Sequence, residues 1–258
     1  MKNIITIILA HNDEPSLRDT VENFRHFAPH LQLVLYNSGD DAQLGKMLGI
    51  QLFPKPRRLY YAKIALFFFD VFEWLLRDHV PFDYVMNAET DMLMIRRGFE
   101  DFVTKQMVDC DYLAPDMRRF THRRSRWRPI RSLRPELPQW YQLFGFEYTH
   151  RAFNPGQIFS RRYVETLVHN PKYLDIVKLT KSNLSFTLQE VLMPTLADFL
   201  VVSGKSYPAE LTPVVRYRPY QAIRGVKRAL SLPNAYFVHP VQREINNPTR
   251  AFIRSLMQ

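Results

Sequence analysis

Glu89-Thr90-Asp91 places two carboxylates two positions apart, just beyond the apolar run Phe82 to Met86. A buried strand that opens onto two acids can turn both toward one ligand, and carboxylate oxygens are what a hard divalent cation takes when it is held against a diphosphate. The same triplet also serves as a plain turn whose acids cap a helix, and that alternative stays open. A second signal has the opposite sign. Between Asp116 and Arg134 stand Arg118, Arg119, Arg123, Arg124, Arg126, Arg128, Arg131 and Arg134 against one acid, so seven of the ten net positive charges fall there. Planar guanidinium forks suit phosphate, whether on nucleic acid, on anionic lipid headgroups or on a diphosphate-bearing substrate; a solvated loop is the alternative.

The surrounding pattern supplies elements to hold these groups. Ile4 to Leu9 reads as a buried strand, followed by His11-Asn12-Asp13-Glu14-Pro15 and by Leu17, Val21 and Phe24 at helical spacing. Pro15 fits a first helical turn, where its missing N–H has no intrahelical partner, and Asp13 fits the cap. Leu31 to Tyr36 predicts a second strand that runs into Asn37-Ser38-Gly39-Asp40-Asp41, then a short helix near Leu44 to Leu48 and a strand at Ile50 to Phe53. Further helices are expected at Tyr60 to Arg77 and Phe99 to Met107, with strands at Phe82 to Met86 and Asp111 to Ala114. Strands that alternate with helices argue for a parallel α/β sheet, in which ligands bind at the carboxyl ends of strands.

From Asp116 to about Thr149 the periodicity is weak, and the segment reads as an irregular basic insertion. Gln157 to Ser160 then predicts a strand, Arg161 to His169 a helix, a later helix holds Glu190, Ala235 to Val238 is a strand, and a last helix ends at Leu256. No internal repeat is visible, so the expectation is one domain, 1–258, with a nucleotide-binding half (1–115), the insertion (116–150) and an acceptor-side half (151–258).

Composition bounds the class. The 258 residues are 46% hydrophobic and 14% aromatic, which is the make-up of a packed globular protein. The single Cys110 excludes an intrachain disulfide and a cysteine-based zinc site, and it reads as a small buried hydrophobe. Ala62 to Leu76 is interrupted by Lys63, Asp70 and Glu73 and reads as a core helix, not a membrane span. Lys2 with Ile4 to Leu9 imitates a signal peptide, but without a small-residue cleavage site it reads as a strand. A cytoplasmic protein is expected.

The order of these pieces resembles the GT-A superfamily of nucleotide-sugar glycosyltransferases, across most of the chain. Ile4 to Pro15 looks like the first strand and donor-base loop, Asn37 to Asp41 like the second nucleotide-contacting loop, and Glu89-Thr90-Asp91 like the DxD element with Glu in first place. Gly156-Gln157-Ile158-Phe159-Ser160 looks like the acceptor-side segment, and Gln189-Glu190 stands where inverting members carry their catalytic acid. The phrases around Gly156 and Glu190 to Leu196 also resemble the core-2/I-branching N-acetylglucosaminyltransferase family, whose members work without a metal and use basic residues near the C-terminus.

The resemblance implies a GT-A-like, Rossmann-type mixed sheet flanked by helices. It implies donor contacts from His11, Asn12, Asn37, Asp40, Lys46, Glu89, Asp91, His239 and Arg243, and acceptor contacts from Gly156 and Gln157. Glu89 and Asp91 hold Mn2+ or Mg2+, unless His239, Arg243 and Lys46 neutralise the diphosphate in a metal-independent site. Glu190 is the candidate base that takes the proton of an acceptor hydroxyl. Trp127 and Trp140, in the insertion, offer faces for a sugar ring or a membrane interface, with packing as the alternative.

The expected reaction is transfer from a nucleotide-sugar donor to a glycan or lipid-linked acceptor, inverting, in surface polysaccharide or glycoconjugate synthesis. The basic insertion would approach the inner face of the cell membrane as a peripheral contact. The competing classes are a nucleic-acid-binding protein built on Arg118 to Arg134 and a nucleotidyltransferase. Neither has its signature: no zinc spacing or RNP-like strand is present, and the first glycine is Gly39.

Overall fold

The computed structural model describes residues 2–120 and 125–258. Its strands are β1 (Ile4–Ala10), β2 (Gln32–Asn37), β3 (Gln51–Leu52), β4 (Tyr84–Glu89), β5 (Leu93–Met94), β6 (Tyr112–Ala114), β7 (Arg118–Phe120), β8 (Thr149–Arg151), β9 (Ile158–Ser160), β10 (Gly204–Ser206) and β11 (Phe237–Val238). Its α-helices are α1 (Glu14–Phe27), α2 (Ala65–Arg77), α3 (Phe99–Gln106), α4 (Arg128–Leu133), α5 (Leu137–Phe144), α6 (Arg161–Val168), α7 (Tyr173–Ser182), α8 (Gln189–Phe199), α9 (Ile223–Leu230) and α10 (Pro248–Ser255). Seven strands form one sheet in the order β10-β6-β9-β4-β1-β2-β3, in which only β9 runs antiparallel to its neighbours.

β1 lies at the middle of the parallel part, and every one of its residues is buried. The two-residue period of a strand splits them between two cores. Ile5, Ile7 and Leu9 join the α2 side, while Ile4, Ile8 and Ala10 join the α1 side. Phe67, Phe68, Phe69, Phe72 and Trp74 of α2 are all buried, and Phe68 and Phe72 meet Phe159 of β9 at centroid distances of 5.4 and 5.0 Å. These rings belong to the core, as their density in the sequence predicts.

The cap expected at Asp13 forms, and Ser160 supplies a second. The Asp13 carboxylate accepts the Ser16 N–H at 3.2 Å at the start of α1, and the Ser160 hydroxyl accepts the Tyr163 N–H at 3.0 Å at the start of α6.

The insertion differs from its expectation. It is not irregular: β7 pairs with β8, and α4 and α5 bury Ile130, Leu133, Leu137, Trp140 and Phe144 in the α2-side core. Those five residues recur at steps of three and four, a helical period that the intervening arginines mask. The short helix expected at Leu44 to Leu48 is a single 3-10 turn, Lys46–Leu48. Arg123 and Arg124 lie outside the described residues. Among the described residues no helix is long and apolar enough to cross a membrane.

Candidate active site

Three parallel strands end on one edge, and their register sets the floor of a cleft. Leu9 is level with Tyr36 of β2 and with Glu89 of β4, so the loops after β1, β2 and β4 leave side by side. The cleft has a volume of about 660 Å³ and is lined by His11, Asn12, Ser38, Asp40, Glu89, Asp91, Asn154, Gln189, Glu190, His239 and Arg243, among others. That is within the usual size of small-molecule sites.

The first two loops interlock. The Ser38 N–H donates to the Ala10 carbonyl at 2.8 Å, and the Ser38 hydroxyl contacts His11 Nδ1. A Cβ on Gly39 would lie 1.6 Å from the His11 carbonyl oxygen, so only glycine lets these loops meet. Asn37 does not line the cleft as expected. Its side chain accepts the Gly39 N–H at 3.0 Å and donates to the Asp41 carbonyl at 2.7 Å, which shapes the loop that carries Asp40.

Glu89, Asp91 and His239 present ligand atoms that all lie within 4.8 Å of one another. His239 Nδ1 is engaged by the Arg216 carbonyl at 2.9 Å, which points Nε2 at the carboxylates. Asp91 Oδ1 lies 3.2 Å from that Nε2, yet it is buried and receives no aligned hydrogen bond among the described residues. With Nδ1 committed to a backbone carbonyl, the His239 Nε2 and the carboxylate oxygens of Glu89 and Asp91 lie close enough together to share one cation. Two carboxylates and one imidazole are donor groups that suit a divalent cation.

Arg243 spans the pair, 3.4 Å from Glu89 Oε2 and 3.2 Å from Asp91 Oδ2. Asn154 donates to the other Glu89 oxygen at 2.7 Å. Burial works to raise the Asp91 carboxyl, but His239 and Arg243 outweigh it and hold Asp91 below the ordinary carboxylate range. Burial together with the charge of Asp91 raises Glu89. For His239 burial acts downward, and the two acids overcome it, so its imidazole is held above 6.5. His11 moves the other way, lowered by burial and by the charge of Arg243.

The cluster is held from behind by a fully buried arginine. Arg250 of α10 donates from Nη2 to the Thr90 carbonyl at 2.7 Å, from Nε to the Gln242 carbonyl at 3.1 Å and from Nη1 to Asp19 at 2.6 Å. It thereby ties the Glu89-Thr90-Asp91 loop to the segment that carries His239 and Arg243. Arg254 adds a second contact to Asp19 at 3.1 Å. Sequence reading missed Arg250, which nothing short of the fold distinguishes from an exposed helical arginine.

Glu190 sits in the first turn of α8, buried and lining the cleft. Desolvation pushes its carboxyl up to about 8, and the backbone N–H of Asn154 offsets this only in part. The helix has Pro194 in its interior, which has no N–H for the Glu190 carbonyl. That carbonyl accepts the Ala152 N–H at 2.8 Å instead, which fixes the segment leading to Asn154 against α8.

Several expected contacts lie elsewhere. Lys46 is exposed on the 3-10 turn and does not line the cleft, because that turn leads outward to the edge strand β3. Trp140 is buried in the core against Phe144. Gly156 and Gln157 also miss the cleft. Gly156 takes a φ of +78° where a Cβ would press on Phe237, and the buried Gln157 accepts the Tyr112 hydroxyl at 2.9 Å and bonds Asn154 at 3.4 Å. Their effect on the site is indirect, through Asn154.

The arginine block is partly spent on internal contacts: Arg118 pairs with Asp116 at 3.5 Å, and Arg119 and Arg128 lie 3.7 and 3.8 Å over the rings of Tyr148 and Phe186.

No family model matches this chain, and no curated protein matches it. Solved structures do. An active-site glutamine-to-glutamate variant of LgtC overlaps 98% of this chain and 94% of its own at 9% identity and a TM-score of 0.55. The galactosyltransferase LgtC in complex with donor and acceptor sugar analogues overlaps 98% and 95% at 10% identity and a TM-score of 0.53. A mannosyltransferase from Pyrobaculum calidifontis, solved with GDP-Man and Mn2+, overlaps 64% of this chain and 46% of its own at 12% identity and a TM-score of 0.40. At such identities the overlap with LgtC shows the fold. This chain has the mixed α/β fold of the GT-A glycosyltransferases, as the order of its motifs predicts.

Proposed function

We propose that the chain is a divalent-cation-dependent glycosyltransferase that moves a sugar from a nucleotide-sugar donor to a hydroxyl of a glycan or lipid-linked acceptor. The observation that carries this reading is the meeting of Glu89, Asp91 and His239, with ligand atoms within 4.8 Å of one another, in the cleft at the carboxyl ends of β1, β2 and β4. Glu89, Asp91 and His239 would hold the cation, which supplies positive charge to the departing diphosphate.

The chain's own residues do the rest. His11, Asn12 and Asp40 line the cleft at the ends of β1 and β2, where the nucleoside would lie. Arg243, freed from the carboxylates, turns its guanidinium to the diphosphate as a preset charge. Glu190 takes the acceptor proton. Its carboxyl is pushed up to about 8, so it is mostly protonated at neutral pH and transfer should quicken as pH rises through that value. A cation at Glu89 would draw the Glu190 carboxyl downward and bring the base form closer to neutrality. With a carboxylate base on the acceptor side, the stereochemical course is inversion.

Thermal unfolding with nucleoside diphosphates and nucleotide sugars, each with Mn2+, Mg2+ or chelator, tests the donor and the ion together. A shift that requires metal is expected; absence of any shift sinks the reading. Glu190→Gln should then lower turnover by roughly 10²–10⁴ with donor binding intact, and the anomeric configuration of the product decides inversion. Action at a membrane in surface polysaccharide synthesis belongs to the same proposal. Arg126→Ser with Arg131→Ser should weaken binding to anionic vesicles, more at low salt than at high.

A further inference from the structure

Beyond the carboxylates the cleft opens between two loops with exposed rings. Tyr61 is 75% exposed, Tyr217 54% and Tyr220 38%, and all three line the cleft. They are not loose. The Tyr61 and Tyr217 hydroxyls meet at 3.0 Å, Tyr61 lies edge-on to Phe186 at 6.0 Å, and the Thr187 N–H donates to the Ala62 carbonyl at 2.7 Å. Rings held in place at the cleft mouth while still open to solvent in part suit the apolar face of a pyranose.

The charges beside these rings differ from two others that line the cleft. Arg58 is paired with Asp40 at 3.0 Å, and Arg243 with the two floor acids. Arg218 makes no ion pair among the described residues. It lies 4.0 Å over the Tyr220 ring and donates to the Tyr220 hydroxyl at 3.0 Å. Arg128, over Phe186, is likewise without a carboxylate among the described residues. Further in, three residues after Phe186, Gln189 is almost wholly buried, lines the cleft, and its Oε1 has no hydrogen-bond partner among the described residues. A buried acceptor left unsatisfied costs free energy unless a ligand donates to it.

We propose that the cleft mouth formed by Tyr61, Phe186, Tyr217, Tyr220, Arg218 and Gln189 is a subsite for an anionic sugar, one whose ring carries a carboxylate or a phosphate, and that this sugar belongs to the acceptor. The word acceptor rests on the glycosyl-transfer reading above; the binding site does not. The rings take the pyranose face, Gln189 Oε1 accepts a sugar hydroxyl, and Arg218 takes the charge. A polynucleotide fits worse, because Asp40, Asp41, Glu89 and Asp91 line the same cleft and repel a chain of phosphates.

Ligand-observed NMR titration at low salt tests the subsite with methyl glucoside, glucuronate and glucose 6-phosphate, and with the matching galactose series, alongside acetate and inorganic phosphate. The wild type should bind the charged sugars about tenfold more tightly than the neutral ones, the yield of one charge-assisted bidentate contact. Arg218→Gln should erase that preference, and Tyr217→Ala should weaken all the sugars. A preference that is absent, or that survives Arg218→Gln, overturns the proposal, as does acetate or phosphate binding as tightly as the sugars.

The same samples are heated with nucleoside diphosphate and Mn2+. A metal-dependent shift without sugar preference removes the subsite alone. Sugar preference without any nucleotide shift removes glycosyl transfer and leaves the subsite standing.

Discussion

Arg250 and Arg218 carry the same side chain under opposite conditions. Arg250 has no exposed surface, and its guanidinium is used up by Asp19 and by the carbonyls of Thr90 and Gln242. Arg218 is exposed and has aromatic and carbonyl contacts but no acid among the described residues. A charge taken out of water must have its hydrogen bonds completed by protein, and once they are complete it can only hold geometry. A charge left in water keeps its capacity for a ligand. The contrast separates a region that positions two loops from one that admits a substrate.

The contrast breaks first at its buried end. Arg250→Met leaves Asp19 buried with only the partly exposed Arg254, and it should cost roughly 3–5 kcal/mol in denaturant unfolding, against about 1 kcal/mol or less for Arg254→Met. Equal costs for the two would show that the clamp carries no special role.

Asp91→Asn leaves the clamp in place and should lower Mn2+ affinity about tenfold to a hundredfold by calorimetry; it also takes away the charge that His239 and Arg243 face, so unfolding stability should fall with it. The ion must also displace the proton on His239, whose pKa is held above 6.5. Affinity should therefore fall as pH drops through that raised value, by up to about tenfold per pH unit below it. A pH-independent affinity would take His239 out of the ligand set.

Glu190 sharpens the comparison as a buried acid that lacks what Arg250 has. Its folded pKa of about 8 stands above the ordinary 4.5, so across that window the folded chain keeps a proton that the unfolded chain has released. Wild-type stability should fall as pH rises from 4.5 toward 8, by about 1 kcal/mol per pH unit, relative to Glu190→Gln. Parallel curves for the two proteins would mean that Glu190 is better partnered than its surroundings suggest. The smallest change belongs to the rim: Tyr61→Phe removes one exposed hydroxyl contact and should alter stability by no more than about 0.5 kcal/mol in the same unfolding assay.

The α/β order was legible because β1, β2 and β4 are apolar runs that end in polar loops, a local pattern. Asp13 was legible as a cap for the same reason. The insertion was misread because arginines stand between Ile130, Leu133, Leu137 and Trp140, and charge concealed the period. Glu89 and Asp91 could be found as a pair, but His239 joins them only through the return of β11 beside β5, which pairs Val238 with Leu93. No spacing in the chain encodes that meeting. Asn37, Gly156 and Gln157, expected as ligand contacts, lie outside the cleft lining; Asn37 shapes the Asp40 loop and Gln157 bonds Asn154, because a turn that carries a ligand group needs residues that hold it still.

The imide nitrogen of Pro194 has a mechanical consequence. By leaving the Glu190 carbonyl to Ala152, it gears α8 to Asn154, two residues on, and so to the oxygen of Glu89 that Asn154 grips. A slide of α8 along its axis would turn up at the edge that holds Glu89 and Asp91, with one missing hydrogen as the tooth of the gear.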